Sequence, residues 1–202
     1  MKKTTLVILL IIPVLLIGLV GCACNSQKQK VTYSENNFNQ TDTAEIVIKN
    51  YGTIVVGLDA NQAPKTVENF KKLANQGFYN GLTFHRIIKD FMMQGGDPKG
   101  DGTGGSPDKV KGEFSSNGIN NTLAHTRGAI SMARSQSNDS GSSQFFIMQK
   151  TNSSLDGQYA CFGYVQSGIE IVDKICNEAK PSDNNGTIPK ANQPIIQSIT
   201  IK

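Results

Sequence analysis

The chain has 202 residues, of which 38% are hydrophobic and 18% charged, and it contains 20 glycines and no tryptophan. This length and composition suit one globular domain with a sizeable core, and they exclude an extensively disordered chain. The net charge of +4 falls to +2 without Lys2 and Lys3, which lie in a segment that we expect to be removed. We therefore expect no nucleic-acid partner.

The N-terminal region begins with these two lysines and continues as an apolar run over residues 6–20. The run has about 15 residues, whereas a helix that spans a bilayer needs about 20. A basic start, a short apolar stretch and a small residue before the cleavage point predict a secretory signal peptide over residues 1–21. Residues 19–22, Leu-Val-Gly-Cys, resemble the lipobox of bacterial lipoproteins. This resemblance implies that Cys22 becomes the lipidated first residue of the mature chain.

Lipidation of Cys22 would hold the protein on the extracytoplasmic face of the cell membrane, because several acyl chains together form a stable anchor. An ordinary signal peptide, an uncleaved anchor helix and lipidation of Cys24 are the alternatives. Residues 22–43 are polar and lack apolar periodicity, so they predict a flexible tether, with an edge strand at residues 31–33 as the alternative. Residues 44–202 are the predicted folded domain.

The domain begins with two β-branched runs, residues 44–49 and 53–58, which predict a hairpin. Residues 64–74 follow with a helical pattern. Pro64 suits the first turn of a helix, the apolar residues of this stretch share one face, and Gly77 suits the helix end.

Further short β-patterned runs follow, separated by polar or Gly- and Pro-rich loops. They cover residues 83–88, 91–94, 128–133, 144–149, 159–165 and 194–201. Residues 169–178 predict a second amphipathic helix. Many short strands with two helices predict a mainly β fold, a closed antiparallel barrel with a helix at each end.

Two cysteines, Cys161 and Cys176, lie within the domain. Their spacing does not suit a zinc site. An extracytoplasmic compartment permits a disulfide between them, but we expect two buried thiols that pack as small apolar residues.

The most specific signal is a set of four segments in a fixed order. They are FHRII at 84–88 with FMMQGGD at 91–97 and GTGG at 102–105; GAISMA at 128–133; GSSQFFI at 141–147; and LDG at 155–157 followed by FG at 162–163. Together they resemble the cyclophilin family over about residues 44–202. The resemblance implies an eight-stranded β-barrel capped by two helices, and a peptidyl-prolyl cis-trans isomerase that assists the folding of secreted proteins.

The positions that match the cyclophilin motifs imply the residues of a substrate-binding site. Arg86 would be the catalytic arginine, and no cofactor or metal is expected. The resemblance assigns substrate binding to three groups: the proline pocket of Phe91, Met92, Phe146 and Leu155; the main-chain contacts of Gln94 and the backbone near Arg134; and the groove and rim residues Gly102, Ala133, Ser135, Gln144, His125 and Tyr159. The expected partners are proline-containing polypeptides and, through the lipid anchor, the membrane. We expect a monomer.

An arginine between Phe84 and the Phe91 segment also makes chemical sense. Rotation about an X-Pro bond meets a barrier of roughly 18–20 kcal/mol because resonance gives the bond double-bond character. Twisting the bond restores a lone pair on the imide nitrogen, and a donor directed at that nitrogen binds the twisted state better than either planar state. The guanidinium group of arginine is always protonated and holds its donors in a fixed plane.

Other interpretations of these residues are weaker. His85 and Arg86 are adjacent on a predicted strand and point to opposite faces, so His85 is predicted to be structural. The glycine-rich residues 95–105 lack the Gly-Lys-Ser/Thr of a phosphate loop. The serines lack a nucleophile-elbow pattern, which argues against a Ser-His-Asp hydrolase. A module that binds proline-containing segments without catalytic purpose is the second hypothesis.

The sequence departs from the family pattern at the groove. Ser154 stands where many members carry a tryptophan that contacts the inhibitor cyclosporin, and Tyr159 stands where many have histidine. Arg134 and Ser135 replace smaller or neutral residues, which affects sequence preference rather than the chemistry.

We therefore predict that cyclosporin inhibits the purified domain only weakly, because Ser154 cannot supply the tryptophan contact. A titration of isomerase activity with cyclosporin measures this. Half-maximal inhibition at nanomolar concentration would refute the prediction.

Overall fold

The computed structural model of the protein describes residues 31–202. The predicted signal peptide, Cys22 and Cys24 lie outside these residues. In the described part of the chain, no helix is both long and apolar enough to cross a membrane.

The described residues form eight β-strands and two α-helices, which confirms the mainly β prediction. The strands are β1 (Asp42–Ile48), β2 (Gly52–Leu58), β3 (Thr83–Ile88), β4 (Met92–Asp97), β5 (Ala129–Met132), β6 (Phe145–Met148), β7 (Ala160–Ser167) and β8 (Ile196–Ile201). The helices are α1 (Pro64–Asn75) and α2 (Ile169–Glu178).

The strands form one antiparallel sheet in the order β3-β4-β6-β5-β7-β2-β1-β8. β4 continues to Asp97, three residues beyond its predicted end at Gln94. Gly95 and Gly96, which begin the glycine-rich stretch, belong to this strand, where the backbone packs closely on its neighbours. A Cβ on Gly96 would stand 2.6 Å from the carbonyl oxygen of Ser143, and the φ of Gly96 is +81°. Only glycine fits such a position without strain.

The prediction of a closed barrel is wrong, because the ladder is open between β3 and β8. Near the start of β3, the Phe84 N–H donates to the carbonyl of Pro194, just before β8, at 2.9 Å. Farther along β3, the Ile87 N–H donates instead to the carbonyl of Gly186 at 2.8 Å. Pro194 lacks the N–H that a ladder needs, and the irregular residues 182–188 occupy the rest of this edge. The sheet is therefore an open half-barrel.

The core lies between the curved sheet and the helices. Phe70, on the apolar face of α1, contacts the rings of Tyr79, Phe145 and Phe162, with centroids 5.3–5.6 Å apart. All four side chains are completely buried. Burial of an aromatic side chain of this size contributes about 3 kcal/mol, so this cluster fixes α1 against the sheet.

Both cysteines of the domain are buried free thiols, as expected. Burial raises the pKa of Cys161 to about 11 and that of Cys176 to about 12. Neither thiol ionises at neutral pH, which suits a packing role.

Residues 31–41, which the sequence assigns to the tether, contact β7 and the loops that follow β2 and precede β5. The Ser34 N–H donates to the carbonyl of Thr122 at 3.0 Å, and the Asn39 N–H donates to the Asp59 carboxylate at 2.7 Å. The Phe38 ring packs edge-on against Tyr164, 5.3 Å between centroids. These residues form no strand. We call residues 31–41 the N-terminal strap. The domain boundaries drawn from the sequence stay a prediction.

We predict that Phe38→Ala lowers the free energy of unfolding by about 2 kcal/mol, because it removes a half-buried ring and its aromatic contact. Urea unfolding of the chain from residue 31 measures the change. Asn36→Ala is the matched control, since the Asn36 side chain is exposed on the same strap. Equal midpoints for Phe38→Ala and the wild type would show that the strap does not stabilise the domain.

Candidate active site

A pocket of about 170 Å³ opens on the outer face of β3, β4 and β6. Nine residues line it, and every one belongs to the set named from the sequence: Arg86, Phe91, Met92, Gln94, Ala133, Arg134, Phe146, Leu155 and Tyr159. Strands supply the floor, whereas loops after β5 and β6 supply the walls. The pocket therefore combines apolar side chains with the partly buried guanidinium groups of Arg86 and Arg134.

The strand register places three of these side chains in one row. Arg86 on β3 pairs with Gln94 on β4, and Gln94 pairs with Phe146 on β6. Paired residues of neighbouring strands project from the same face of a sheet. The preceding residues, His85 and Phe145, project to the other face and are buried there. The burial of His85 agrees with its predicted separation from Arg86.

Arg86 is held by contacts on two sides. Its Nε donates to the carbonyl of Asn185 at 2.8 Å, and its Nη1 donates to Oε1 of Gln94 at 3.3 Å. Within the described residues, Nη2 donates to no protein acceptor. Burial lowers the pKa of Arg86, while Tyr159 and Asp183 oppose this shift. An arginine stays protonated at neutral pH even so. The pocket thus contains a fixed cation with a free donor.

Gln94 belongs to a chain of amides. Its Oε1 accepts from Arg86, so its Nε2 is the donor to Oε1 of Gln144 at 2.9 Å. The Nε2 of Gln144 donates in turn to the carbonyls of Gly102 at 3.1 Å and Gly104 at 2.7 Å. This chain fixes the orientation of the Gln94 amide at the pocket surface.

His125 does not lie on the rim of the pocket, where the sequence analysis expected it. Its ring is 1% exposed and stacks behind Phe146, 6.1 Å between centroids. Its Nδ1 contacts the Asp156 carboxylate at 2.9 Å, and its Nε2 contacts the Ser131 hydroxyl at 2.9 Å. These partners bind both nitrogens of the ring and hold it below the pocket. His125 therefore supports Phe146 from behind and does not line the pocket.

His85 is buried on the opposite face of β3 and is 4% exposed. Burial lowers its pKa, an effect that Asp97 opposes and Arg86 reinforces. Its ring is therefore neutral at pH 7. Its position away from the pocket agrees with the predicted structural role.

A second pocket, of about 330 Å³, adjoins the first and shares Gln94, Ala133 and Arg134 with it. The remaining predicted site residues on the groove, Gly102, Ser135 and Gln144, line this second pocket. The structure therefore divides the predicted set between two joined pockets, and it excludes only His125 from both.

The sequence analysis missed the residues that orient the site from distant loops. The carbonyl of Asn185 holds Arg86, and the ring of Phe114 lies 5.2 Å from the guanidinium carbon of Arg134. Tyr159, which the sequence analysis did name, holds Arg134 from another side at 4.8 Å. No local pattern marks a backbone carbonyl in an irregular loop as a site residue. The aromatic neighbours of Arg134 depend on chain folding over long sequence distances.

Asp97 organises the loop that follows β4. Its carboxylate is buried and accepts backbone N–H donors from Lys99 at 2.8 Å and Gly102 at 2.6 Å. Burial alone would raise the pKa of this carboxyl group, but the backbone donors outweigh burial and lower it. The ionised carboxylate thereby holds Gly102 at the edge of the second pocket.

Three comparisons with known proteins agree on the relationship. The family model described as cyclophilin type peptidyl-prolyl cis-trans isomerase/CLD matches residues 43–201. The peptidyl-prolyl cis-trans isomerase B of Bacillus subtilis is 43% identical over 135 residues, which cover 67% of this chain and 91% of that protein. A peptidyl-prolyl cis-trans isomerase of Helicobacter pylori is 43% identical over 147 residues, which cover 71% and 87%.

Among solved structures, a cyclophilin type isomerase of Cryptosporidium parvum, crystallised in the presence of the dipeptide Ala-Pro, superposes with a TM-score of 0.69. It is 33% identical, and the match covers 79% of this chain and 98% of that one.

We predict that Asp97→Asn lowers the free energy of unfolding at pH 7 by about 2 kcal/mol, because an amide cannot accept all of these backbone donors. The folded pKa of Asp97 lies below its unfolded value of about 3.9. The ionised carboxylate therefore stabilises the fold above that pH, and its contribution is lost as the pH falls through the folded pKa.

Urea unfolding at pH 7 and at about pH 3 measures the contribution of the ionised carboxylate. The difference in the free energy of unfolding between the wild type and Asp97→Asn should be smaller at the lower pH. Asp90→Asn is the control, because Asp90 is exposed and its carboxylate accepts no hydrogen bond within the described residues. If Asp97→Asn lowers the free energy of unfolding equally at both pH values, the ionised Asp97 carboxylate is not the stabilising group.

Proposed function

Because the chain belongs to the cyclophilin type peptidyl-prolyl cis-trans isomerase family, we propose that Arg86 is its catalytic residue and that the pocket beside Arg86 binds the prolyl ring. The protein is a peptidyl-prolyl cis-trans isomerase that assists protein folding, and its substrates are proline-containing peptides. The observation that carries the site assignment is the row of Arg86, Gln94 and Phe146 across three strands.

The pocket wall supports a role in gripping the prolyl ring. Met92 and Phe146 form its base and are almost completely buried, while the Tyr159 ring packs edge-on against Phe146 at 5.6 Å. An apolar pocket holds a pyrrolidine ring without supplying acceptors that would compete for the arginine. The prolyl ring is then held in place, and the residue before proline rotates about the X-Pro bond.

Arg86 would act on the imide nitrogen in the twisted state. The planar imide nitrogen has no available lone pair, since that pair takes part in resonance. At a twist of about 90° the resonance is lost and the nitrogen becomes an acceptor. The free Nη2 of Arg86 is the donor in this arrangement, because Asn185 and Gln94 bind the other nitrogens. The hydrogen bond forms only near the transition state, which is the condition for catalysis.

The required energies are within reach of these groups. An acceleration of about 10⁵-fold needs about 7 kcal/mol. A charge-assisted hydrogen bond in a half-buried site, a pre-oriented Gln94 amide and exclusion of water from the pocket together supply stabilisation of this order. No covalent intermediate takes part in this mechanism.

We also propose that the protein is a lipoprotein with its lipid on Cys22, held as a monomer on the extracytoplasmic face of the cell membrane. The basic start, the short apolar run and the Leu-Val-Gly-Cys of residues 19–22 support this proposal. In that location the isomerase would act on secreted proteins near the membrane. Metabolic labelling with a fatty acid, with Cys22→Ser as the comparison, tests the lipid site.

Arg86→Ala should lower kcat/KM for a proline peptide by about 10²- to 10³-fold, the usual cost of removing one transition-state donor. An NMR exchange assay measures the rate. Arg127→Ala is the matched control, since Arg127 pairs with Asp173 outside the pocket, and both variants should show a folded thermal transition.

Equal rates for the wild type and Arg86→Ala would overturn the catalytic assignment. Peptide binding by a wild type that does not accelerate exchange would instead favour the binding-module hypothesis.

A further inference from the structure

The second pocket lies beside the proline pocket, and Arg134 lines both of them. A peptide chain advances at most about 3.6 Å per residue. The two pockets share Gln94, Ala133 and Arg134, so a substrate with its proline in the first pocket places the side chain of a nearby residue at the second. The polar groups around the second pocket decide which side chain fits there.

Two cations without an acidic partner face this second pocket. Arg134 donates only to backbone carbonyls, from Nε to Gln158 at 3.0 Å and from Nη1 to Ser135 at 2.9 Å. Lys109 lines the pocket, and its Nζ lies 3.8 Å from the position that a Cβ on Gly105 would take. Among the described residues, neither cation forms a salt bridge.

The guanidinium group of Arg134 has a fixed position. It lies over the rings of Phe114 and Tyr159, and its carbonyl contacts hold it in one plane. Cation–π contacts orient a guanidinium group but leave its charge unneutralised. Arg134 therefore presents a positioned, unpaired charge to whatever enters the groove.

The carboxylates nearby are engaged with other groups. Each binds other groups of the chain: Asp97 the N–H groups of Lys99 and Gly102, Asp101 the N–H of Thr103, Asp108 the ammonium of Lys72, Asp156 the N–H of His125, and Asp183 the N–H groups of Asn185 and Thr187. None of them forms a direct ion pair with Arg134 or Lys109. The second pocket therefore offers two cations without a direct ion pair, to which a carboxylate of the substrate can bind.

We propose that this isomerase prefers substrates that carry an acidic side chain about two residues from the proline, which the second pocket binds between Arg134 and Lys109. This inference rests on the proposed location of the prolyl ring. The hydroxyl groups of Ser135 and Ser140 donate within their own loop. The Ser142 hydroxyl donates to no protein acceptor among the described residues and can donate to the same carboxylate. The preference concerns the affinity and selection of substrate, and it leaves the chemistry with Arg86.

Peptides that differ at one residue test the preference. One set carries Glu, Gln or Lys two positions before the proline, and a second set carries them two positions after it. Only one of the two sets can place its variable side chain in the second pocket. In that set, kcat/KM for the Glu peptide should be about fivefold higher than for the Gln peptide at low salt, because one exposed charge pair contributes up to ~1 kcal/mol. At about 1 M salt the ratio should fall below about twofold. The Debye length is then only about 3 Å, so the attraction between the two charges is strongly screened.

Variants identify the charges responsible. Lys109→Gln and Arg134→Gln should each reduce the ratio of Glu to Gln peptide by at least about twofold, and the double variant should abolish it. Lys174→Gln removes the same charge from α2, away from both pockets, and should leave the ratio unchanged. The ratio serves as the readout because Arg134→Gln also alters the packing of Tyr159.

Two results would overturn the inference: equal kcat/KM for the Glu and Lys peptides in both sets, or a ratio that survives in the double variant. The neutral Gln peptide separates this failure from failure of the proposed site. If the wild type accelerates the Gln peptide and Arg86→Ala does not, the catalytic assignment stands even where the acidic preference is absent.

Discussion

The register of β3, β4 and β6 is the constraint on which the site depends. It places Arg86, Gln94 and Phe146 side by side on one face of the sheet. A shift of one residue in any of the three strands would move that strand's contribution to the opposite face. The same register places Phe145 in the core against Phe70 and the Tyr79 ring. Core packing thus specifies the position of the groove, since each strand can satisfy both faces in only one register.

A second layer of contacts orients the row. The carbonyl of Asn185 and the amide chain through Gln144 act on Arg86 and Gln94, while the buried ring of His125 supports Phe146. These contacts come from loops distant in sequence from the strands they hold. Preorganised donors need no rearrangement as the substrate reaches its twisted state, which is why such contacts matter for the rate. The site is therefore a product of the sheet and of the irregular segments around it.

Hydrophobic periodicity, which is a local signal, predicted the strands and both helices, whereas the resemblance to the cyclophilins implied all nine residues of the first pocket. The sequence did not predict the open edge of the sheet, where residues 182–188 replace a ladder, or the burial of His125. It also assigned the N-terminal strap to a tether, although Phe38 packs on Tyr164. Each of these features depends on contacts between distant segments, and polar loop sequences carry no periodic signal of such contacts.

The central claim is that Arg86 stabilises the twisted imide more than either planar form of the substrate. Arg86→Lys tests it directly, because lysine keeps the charge and loses the planar fork. Two-dimensional exchange NMR on a labelled proline peptide reports the dissociation constant and the rate of interconversion on the enzyme separately. We expect a dissociation constant within about twofold of the wild type and an interconversion rate at least about tenfold lower. An unchanged interconversion rate with weakened binding would contradict the claim and would make Arg86 a binding residue.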